Sequence, residues 1–317
     1  MDEFSLIEQF FKPLCLKRKD VLLGIGDDAA CLHIPQSMNL LVSTDTLVAN
    51  VHFLAEWDAY NIAYRSVMVN VSDLAAMAAQ PCWATLALTL PEMNSDWLEA
   101  FARGLKDSLQ QFNIALIGGD TTRGPLSITL TVFGQTPCGQ ELRRSGAMPG
   151  DVILVSGMLG AAALAVKFFD VDRISSADKN ELMDKLLYPK PRIDLSSFLR
   201  TYATAAIDIS DGLSADLNHI CVASGVGACL NKEAIPIHPL LNKYYHNDAV
   251  DLALTGGDDY ELCFTIPEHQ LDLLINALKK AGLMCYPVGI IEAIPGLRIK
   301  TADNQCEALI PQGYSHF

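Results

Sequence analysis

The sequence predicts a protein of two α/β domains, of the α+β type, in which strands and helices mix without a strict β-α-β alternation. The chain has 317 residues, half of them hydrophobic, which is enough for two hydrophobic cores. Short apolar runs of strand length recur along the whole chain, between segments of helix length. A stretch rich in glycine, proline and charge, 135–150, predicts the joint between domains, which we draw as 1–138 and 139–317.

In the first half, the predicted strands are apolar runs that end at glycine, proline or polar residues. Residues 57–79 form the longest predicted helix, and because it is apolar nearly all round we expect it to be buried. A second helix, 97–112, can be capped by Asn94 or Ser95. The other predicted elements of this half are a short helix at 4–11 and strands at 21–24, 30–34, 39–48, 83–90, 114–117 and 127–133.

In the second half, the same criteria predict a sheet interleaved with helices. The loop from Gly157 to Gly160 leads into an alanine-rich helix that runs through Phe169. The proline-rich segment 188–192 is a stiff connector. The further predicted helices are 177–187, 193–202, 213–224 and 267–281, and the predicted strands are 151–155, 205–208, 227–230, 260–265 and 284–291.

Composition excludes several classes of function. Lys and Arg number 23 and Asp and Glu number 37, which gives a net charge of −14 and argues against binding to nucleic acid or to an anionic membrane. The nine cysteines are scattered without a Cys-x-x-Cys pair, as is typical of a reducing compartment. The acidic N-terminus lacks the basic region of a signal peptide, and no apolar run has the length of a membrane span. We therefore expect a cytoplasmic protein.

One pattern recurs five times: an apolar run, a small residue and then aspartate. The fullest case is 114–124, where four apolar residues precede two glycines, Asp120, two threonines and an arginine. The other cases place aspartates at Asp27 and Asp28, Asp45, Asp208 and Asp211, and Asp258 and Asp259. Carboxylates at strand ends can converge on one point, and that many acids would repel one another unless cations such as Mg²⁺ held them.

Each aspartate taken singly has a simpler interpretation as a turn or helix-capping residue. Asp211, which precedes Gly212, could cap the helix that starts at Leu213. Asp73 lies in the apolar 57–79 helix and needs a partner there, because a lone buried carboxylate is unfavourable. The recurrence of the pattern, rather than any one residue, predicts the metal cluster.

Familiar nucleotide motifs are absent from the sequence. The segment Gly24–Ala29 fits a loose dinucleotide pattern, but two acids lie where the pyrophosphate would sit and Pro35 follows too soon for a long helix. There is no P-loop, no protein-kinase motif set, no zinc-protease motif and no nucleophile elbow. A metal-ligand interpretation of Asp27 and Asp28 remains.

Three further features each have two interpretations. The Arg143–Arg144 pair is either a solvated turn or a phosphate-binding fork. The Gly157–Gly160 loop could bind an anion through backbone N–H groups or could simply pack tightly. His52 follows the Asp45 strand closely, and it is either a structural histidine or a residue of the site.

Taken together, the motifs resemble the thiamine-monophosphate kinase family over essentially the whole chain. They occur in the family's order: Gly-Ile-Gly-Asp-Asp, Ser-Thr-Asp-Thr-Leu-Val, Val-Asn-Val-Ser-Asp-Leu-Ala-Ala-Met, Ile-Gly-Gly-Asp-Thr-Thr-Arg-Gly, Arg-Ser-Gly-Ala, Ile-Asp-Ile-Ser-Asp-Gly-Leu and Gly-Gly-Asp-Asp-Tyr-Glu-Leu. The parent superfamily also includes aminoimidazole ribonucleotide synthetase and selenophosphate synthetase. The resemblance implies transfer of the γ-phosphoryl group of ATP, with several Mg²⁺ ions, directly onto thiamine monophosphate.

The resemblance also implies roles for individual residues. The implied magnesium ligands are Asp28, Ser43, Thr44, Asp45, Asp73, Asp120, Asp208 and Asp211. The residues implied at ATP are Gly119, Asp120, Arg144 and Ser210. Those implied at the thiamine phosphate are His52, Asp258 and Tyr314. The catalytic candidates are Asp120, Asp45 and Asp211.

By the same resemblance, 1–138 would bind metal and ATP and dimerise through its mixed sheet, and 139–317 would complete the nucleotide and substrate sites. One position departs from the family pattern, because Asp258 stands where glutamate is expected, which shortens the reach of that acid. Two other functions remain open from the aspartates alone, a metal-dependent phosphohydrolase and a non-catalytic divalent-ion-binding protein. Another ATP-dependent activity of the superfamily is a further alternative.

Overall fold

The computed structural model describes residues 3–14, 16–168 and 174–316. The chain forms two compact units. Unit 1 comprises Met1–Leu74 and Ala79–Glu141, and unit 2 comprises Ala75–Ala78 and Leu142–Phe317. Both units combine helices with a β-sheet, so the predicted mixed α/β architecture is confirmed.

Unit 1 is built on a four-stranded sheet with the strand order β3-β6-β4-β5. Only the β4–β5 pair is parallel, which makes this sheet mixed. The strands of the unit are β1 (Val21–Leu23), β2 (Cys31–Leu32), β3 (Met38–Val48), β4 (Gln80–Leu90), β5 (Ala115–Arg123) and β6 (Ser127–Pro137). Its helices are α1 (Glu3–Leu6), continued by a π-turn and a 3₁₀ turn to Leu14, α2 (Ala59–Ala76) and α3 (Ser95–Gln111).

The two long predicted helices of unit 1 form where the sequence placed them. Asn94 is the cap of α3, since its side chain accepts a hydrogen bond from the Trp97 N–H at 3.0 Å. Val67, Val71 and other apolar residues of α2 are fully buried, as its all-round hydrophobicity predicted. The helix lies along β3, where the Asp45 N–H donates to Asn70 Oδ1 at 3.1 Å.

The opposite face of this sheet is covered at one end only. There, apolar residues of 16–34 pack against Trp83, Phe133 and their neighbours. Elsewhere on this same face the strand register places Val42, Thr44 and Asp120, which are exposed, although Val42 pairs with Phe133. We call this part of the sheet the open face.

Unit 2 is built on a seven-stranded sheet with the order β13-β12-β9-β11-β7-β10-β8. Its strands are β7 (Val152–Val155), β8 (Ala205–Ile209), β9 (Gly227–Asn231), β10 (Glu261–Ile266), β11 (Tyr286–Glu292), β12 (Gly296–Lys300) and β13 (Cys306–Leu309). Its helices are α4 (Ala161–Lys167), α5 (Ser176–Leu187), α6 (Ser196–Tyr202), α7 (Leu213–Ser224), α8 (Pro239–Tyr245), α9 (Ala249–Thr255) and α10 (Leu271–Lys280). Leu154, Leu262 and Phe264 belong to its core.

Three local predictions were wrong or incomplete. The glycines after Ile117 do not end their strand, because β5 continues through Asp120 to Arg123. The apolar run before Gly256 is the helix α9 and not a strand. Sequence reasoning also missed α8, β12 and β13. The end of the alanine-rich helix at Phe169 lies outside the described residues.

Within the described residues, the helices are all too short or too polar to cross a membrane.

Candidate active site

A pair of carboxylates lies between β3 and α2 in unit 1. Ser43 and Asp45 point to the helix-covered side of β3, and the Ser43 hydroxyl donates a short hydrogen bond to Asp73 of α2. Burial, and in second place the charge of Asp73, raises the pKa of Asp45 from 3.8 to about 6. Two acids held together in this way disfavour their own ionisation, which a bound cation would reverse.

Asp120 lies elsewhere in the same unit. It is exposed on the edge strand β5, whereas Asp45 belongs to the opposite edge strand β3. Two strands separate them, so three spacings of about 4.8 Å put the two backbones roughly 14 Å apart. The register also turns Asp120 to the open face and Asp45 to the helix-covered face.

Gly119, which precedes Asp120, is required by the close approach of two strands. Its φ is +154°, and a Cβ there would lie 1.8 Å from the Leu86 carbonyl oxygen of β4. At Gly118 an added Cβ would make only an ordinary contact with the Thr85 methyl group at 3.8 Å. The first glycine is therefore replaceable and the second is not.

The other predicted residues of unit 1 are spread around these two places. Thr44 faces the open side and its hydroxyl hydrogen-bonds that of Thr131 at 2.9 Å. Asp28 is exposed, and its backbone N–H donates to the side chain of Asp27 at 2.9 Å. His52 accepts a hydrogen bond from the Val48 N–H at its Nδ1, 2.9 Å away, which fits the structural interpretation of this histidine.

In unit 2, the turn that follows β8 gathers several predicted residues. Asp208 is buried near the end of β8, and Ser210 and Asp211 follow. The Ser210 carbonyl accepts from the Asp258 N–H at 2.8 Å, and the Asp211 carbonyl accepts from the Tyr314 N–H at 3.0 Å. Residues that are far apart in sequence and that were assigned to metal, ATP and acceptor are thus joined by their backbones.

The backbone at Asp258 is unusual. Asp258 and Tyr260 have φ values of +72° and +50°, which residues other than glycine rarely adopt. The Tyr260 hydroxyl donates to Asp258 Oδ1 at 3.1 Å. Strained conformations of this kind are often retained at functional sites.

Asp216 was not predicted to take part in this arrangement. It lies on α7, is 3% exposed, and its Oδ2 accepts from the N–H groups of Asp211 and Gly212, both at 3.1 Å. Burial raises its pKa to about 7, against the effect of the Asp211 N–H. The sequence signal was present, since an acid in the first turn of a helix can reach back to the N–H groups that precede the helix. Asp211 itself does not cap α7, because Gly212 occupies that position.

A cavity of about 340 Å³ opens beside Asp258. Its lining includes Tyr188 and the two basic residues Lys185 and Lys190, together with Asp259 and Glu261. Glu261 is tied to Arg192 Nη1 at 2.8 Å and to the Ser156 hydroxyl at 2.5 Å. The cavity is large enough for an aromatic ring with polar substituents.

The Gly157–Gly160 loop is explained by packing within the unit. The Gly160 N–H donates to both carboxylate oxygens of Asp259, each at 2.9 Å. Burial raises the pKa of Asp259 well above 3.8, and this N–H opposes that shift. The group that the Gly160 N–H binds is therefore a side chain of the protein itself, whereas sequence analysis had counted Asp259 among the recurring aspartates that predict a metal cluster.

Arg144 lies in an exposed segment whose backbone is fixed. The Ser224 hydroxyl donates to the Arg144 carbonyl at 3.3 Å and accepts from the Gly146 N–H at 3.2 Å. Arg144 is an exposed residue, as is Arg143. A fixed backbone at an exposed arginine is compatible with either interpretation of the arginine pair.

The predicted residues thus fall into separate groups within each unit. Among the described residues, no group of three or more His, Cys, Asp or Glu is arranged to hold a metal ion. The pair Asp45 and Asp73, with the Ser43 hydroxyl, offers oxygen ligands of the kind that Mg²⁺ takes from proteins, since Mg²⁺ commonly uses one or two carboxylates and completes its shell with water and phosphate.

Comparison with protein families matches both units. Residues 26–136 match the family described as AIR synthase related protein, N-terminal domain. Residues 148–301 match the AIR synthase related protein, C-terminal domain. Together these matches cover most of the chain.

Individual relatives are similar over nearly full length. The thiamine-monophosphate kinase of Salmonella typhimurium is 46% identical over 319 aligned positions, covering 99% of this chain and 98% of the relative. The crystal structure of thiamine-monophosphate kinase from Stenotrophomonas maltophilia is 45% identical with a TM-score of 0.87, covering 94% of this chain and 96% of that one. A structure of AaThiL complexed with AMPPCP and TMP is 30% identical with a TM-score of 0.80, covering 99% and 97%.

Proposed function

The chain belongs to the thiamine-monophosphate kinase family, and from that membership we propose that it transfers the γ-phosphoryl group of ATP to thiamine monophosphate. The observation that carries the proposal is 46% identity to a thiamine-monophosphate kinase over 99% of this chain. The two polyanionic substrates need positive charge, which the protein, with a net charge of −14, supplies sparingly. We therefore include a requirement for several Mg²⁺ ions in the proposal.

Oxygen ligands for Mg²⁺ are available in both units. In unit 1 the best-defined set is Asp45, Asp73 and Ser43, with Thr44, Asp28 and Asp120 as the further predicted ligands. In unit 2 the predicted ligands are Asp208 and Asp211. Bound Mg²⁺ would neutralise phosphate charge and favour the attack of one phosphate oxygen in line with the leaving group.

The remaining residues have binding roles in this proposal. Arg144 would grip an ATP phosphate through its guanidinium, and Gly119 and Ser210 would offer backbone and hydroxyl contacts. Asp258 and Tyr314 would receive the acceptor, whose thiazolium cation suits a carboxylate and an aromatic face. His52 is the third predicted acceptor contact. A phosphate acceptor is already ionised near neutral pH, so no strong general base is needed.

The open face of unit 1 supports the proposal that the protein forms a homodimer through its N-terminal sheet. Leu40 is 41% exposed and Val42 is 54% exposed on the edge strand β3. Apolar side chains on an uncovered sheet face and an unpaired strand edge both favour association. Light scattering should report a dimer for the wild type and a monomer for Val42→Asp; a wild-type monomer would contradict the dimer. The expected location of the enzyme is the cytoplasm.

Product analysis with ATP, Mg²⁺ and thiamine monophosphate tests the function. We expect thiamine diphosphate and ADP in equal amounts, and no product in the presence of a chelator. Free phosphate without the diphosphate would instead identify a phosphohydrolase. Absence of turnover under all conditions would leave a divalent-ion-binding protein.

A further inference from the structure

The turn Ser210–Gly212 has two peptide groups that are each held from both sides. The first peptide group consists of the Ser210 carbonyl and the Asp211 N–H, and the second consists of the Asp211 carbonyl and the Gly212 N–H. In each group the N–H donates to Asp216 Oδ2 at 3.1 Å. In each group the carbonyl accepts from another segment, from the Asp258 N–H at 2.8 Å and from the Tyr314 N–H at 3.0 Å.

Planar trans peptide groups make these contacts interdependent. The N–H and the carbonyl of one peptide group point in opposite directions, so fixing one fixes the other. Asp216 therefore sets the direction of both carbonyls through a single oxygen atom. If either peptide group rotated, the Asp258 or Tyr314 N–H would lose its acceptor, at the cost of an unpaired backbone donor.

The two segments also approach the turn too closely to leave room for other orientations. A Cβ at Gly257 would lie 2.6 Å from the Ser210 oxygen, and a Cβ at Gly313 would lie 2.6 Å from the Asp211 oxygen. The chain places glycine next to each of the residues that hydrogen-bond the turn. The packing of both segments is thus matched to one direction of the two carbonyls.

We propose that Asp216 is a positioning residue, which orients the Ser210–Gly212 turn and thereby couples the placement of Asp258 and Tyr314 to that of Asp211. This inference rests on the proposed function, because Asp258 and Tyr314 are its acceptor contacts and Asp211 one of its metal ligands. The competing interpretation is an ordinary helix cap, in which Asp216 stabilises the start of α7 and nothing more.

Two variants separate these interpretations. Asp216→Asn keeps a carbonyl oxygen that can accept both N–H groups, and Asp216→Leu removes the acceptor while keeping the branching at Cγ, in a larger side chain. Asp216→Ser, with a shorter side chain that keeps a hydroxyl, serves if the leucine variant does not fold. Asp151 provides the matched control, because it is 5% exposed and accepts a backbone N–H, from Met148 at 3.0 Å, in another turn of unit 2.

The first measurement is hydrogen exchange of the free protein, which needs no substrate. In Asp216→Leu the amides of Asp258 and Tyr314 should exchange at least about tenfold faster, while the amides of β10 keep their protection. Asp216→Asn should exchange like the wild type at both positions. Asp151→Leu should leave both amides unchanged, although it lowers thermal stability.

The second measurement is steady-state kinetics. Asp216→Leu should raise KM for thiamine monophosphate at least about tenfold, and Asp216→Asn should stay within about threefold of the wild type. Unchanged exchange and KM in a folded Asp216→Leu would reduce Asp216 to a helix cap and overturn the inference. An asparagine variant as impaired as the leucine variant would overturn it too, because charge rather than orientation would then matter. If the wild type itself shows no kinase activity, the proposed function fails while the exchange experiment still decides the positioning role.

Discussion

The environment of Asp45 in unit 1 disfavours the ionised form of its carboxyl group. The group is partly buried beside Asp73. Burial, followed by the charge of Asp73, raises its pKa to about 6. Asp45→Asn should therefore stabilise the protein in chelator at pH 8 by about 1 kcal/mol. Turnover at saturating Mg²⁺ should fall at least about a hundredfold, because a proposed metal ligand is lost.

Thermal unfolding and initial rates check this trade of activity for stability. Asp107→Asn is the control, since Asp107 is an exposed acid of the same unit that accepts from the Tyr60 hydroxyl at 3.0 Å. It should change turnover little and should not stabilise the protein. An Asp45→Asn protein that is less stable than the wild type, or nearly as active, would speak against a strained metal-binding pair.

Arg144 offers a second test at the level of one side chain. Arg144→Ala should raise KM for ATP about tenfold and change kcat much less, because a guanidinium that grips a phosphate contributes mainly to binding. The neighbouring exposed residue provides the control, and Arg143→Ala should leave KM for ATP within about twofold of the wild type. Equal effects of the two substitutions on KM for ATP would favour the interpretation of the arginine pair as a solvated turn.

Single residues also show where sequence reasoning stopped. The aspartates after apolar runs could be singled out, because carboxylates in that pattern are unusual and costly. Asp216 was overlooked, although its place in the first turn of a predicted helix was a signal. Asp259 could not be singled out, because nothing local distinguishes a buried carboxylate that accepts backbone N–H groups from a turn or surface acid. Their roles depend on partners such as Gly160, which is 99 residues away from Asp259 in sequence.

Among the elements, the pairing of β5 with β4 depends on Gly119 more than on Gly118. Gly119→Ala should destabilise unit 1 by about 3 kcal/mol or more, because the new Cβ would collide with the Leu86 carbonyl oxygen in the parallel β4–β5 pair. Gly118→Ala, whose Cβ has room, should change stability by less than about 1 kcal/mol. Urea unfolding of both variants gives the comparison. Equal stability of the two would mean that the close β4–β5 approach at Gly119 does not hold in solution.

The start of α5 is tied to α8 by a single carboxylate. Asp178 Oδ2 accepts from Lys243 Nζ at 2.5 Å and from the Tyr244 hydroxyl at 2.5 Å. The hydrogen bond from Lys243 leads the causes that lower the pKa of Asp178 from 3.8 to about 2. A lowered pKa in the folded state means that the stabilisation is complete above the unfolded value and is lost as pH falls through the folded value.

We therefore expect the stability difference between wild type and Asp178→Asn to depend on pH. It should be largest above pH 5 and should shrink as the pH falls from about 4 towards about 2. Urea unfolding midpoints at several pH values measure it. Asp272→Asn, at an exposed position of α10, should show no such trend; a difference for Asp178→Asn that stays constant down to the acid limit would rule out the ionised tie.

Elements were predictable where the signal was local. The 213–224 helix has the predicted bounds, and the cap of α3 is one of the two predicted residues. The β5 strand was cut short because glycines usually punctuate strands, and here a tertiary contact with β4 overrides that tendency. The run Leu252–Leu254 is too short for periodicity to separate strand from helix, and in the structure it belongs to α9.

On the scale of the whole molecule, the fold class followed from the mixture of elements, and the family followed from seven motifs in order. The strand order β13-β12-β9-β11-β7-β10-β8 could not be predicted from the sequence. Neighbouring strands such as β9 and β12 pair across intervening helices, and such pairing is decided by packing rather than by local pattern. The same holds for the C-terminal tail, where sequence analysis assigned Tyr314 to the acceptor only through the family resemblance.

That tail returns to the turn after β8, and we propose that it serves the acceptor rather than ATP. Gln312 exchanges two hydrogen bonds with the Ser214 hydroxyl, at 2.7 and 3.1 Å, and the Tyr314 N–H binds the Asp211 carbonyl. The Tyr314 side chain is 49% exposed and edge-on to His316. An aromatic face so presented can cover the cationic thiazolium of the acceptor.

Deletion of residues 313–317 should therefore raise KM for thiamine monophosphate at least about tenfold and change KM for ATP less than about threefold. The anchor at Gln312 remains in this variant, so the rest of unit 2 should unfold near the wild-type temperature. Tyr314→Phe should keep most of the affinity and Tyr314→Ala should lose it, because the ring rather than the hydroxyl makes the contact.

Thiamine, which lacks the accepting phosphate, should bind without being phosphorylated. Turnover of thiamine as fast as of its monophosphate, or an acceptor KM unchanged by the deletion, would show that the tail and the phosphate do not define the acceptor.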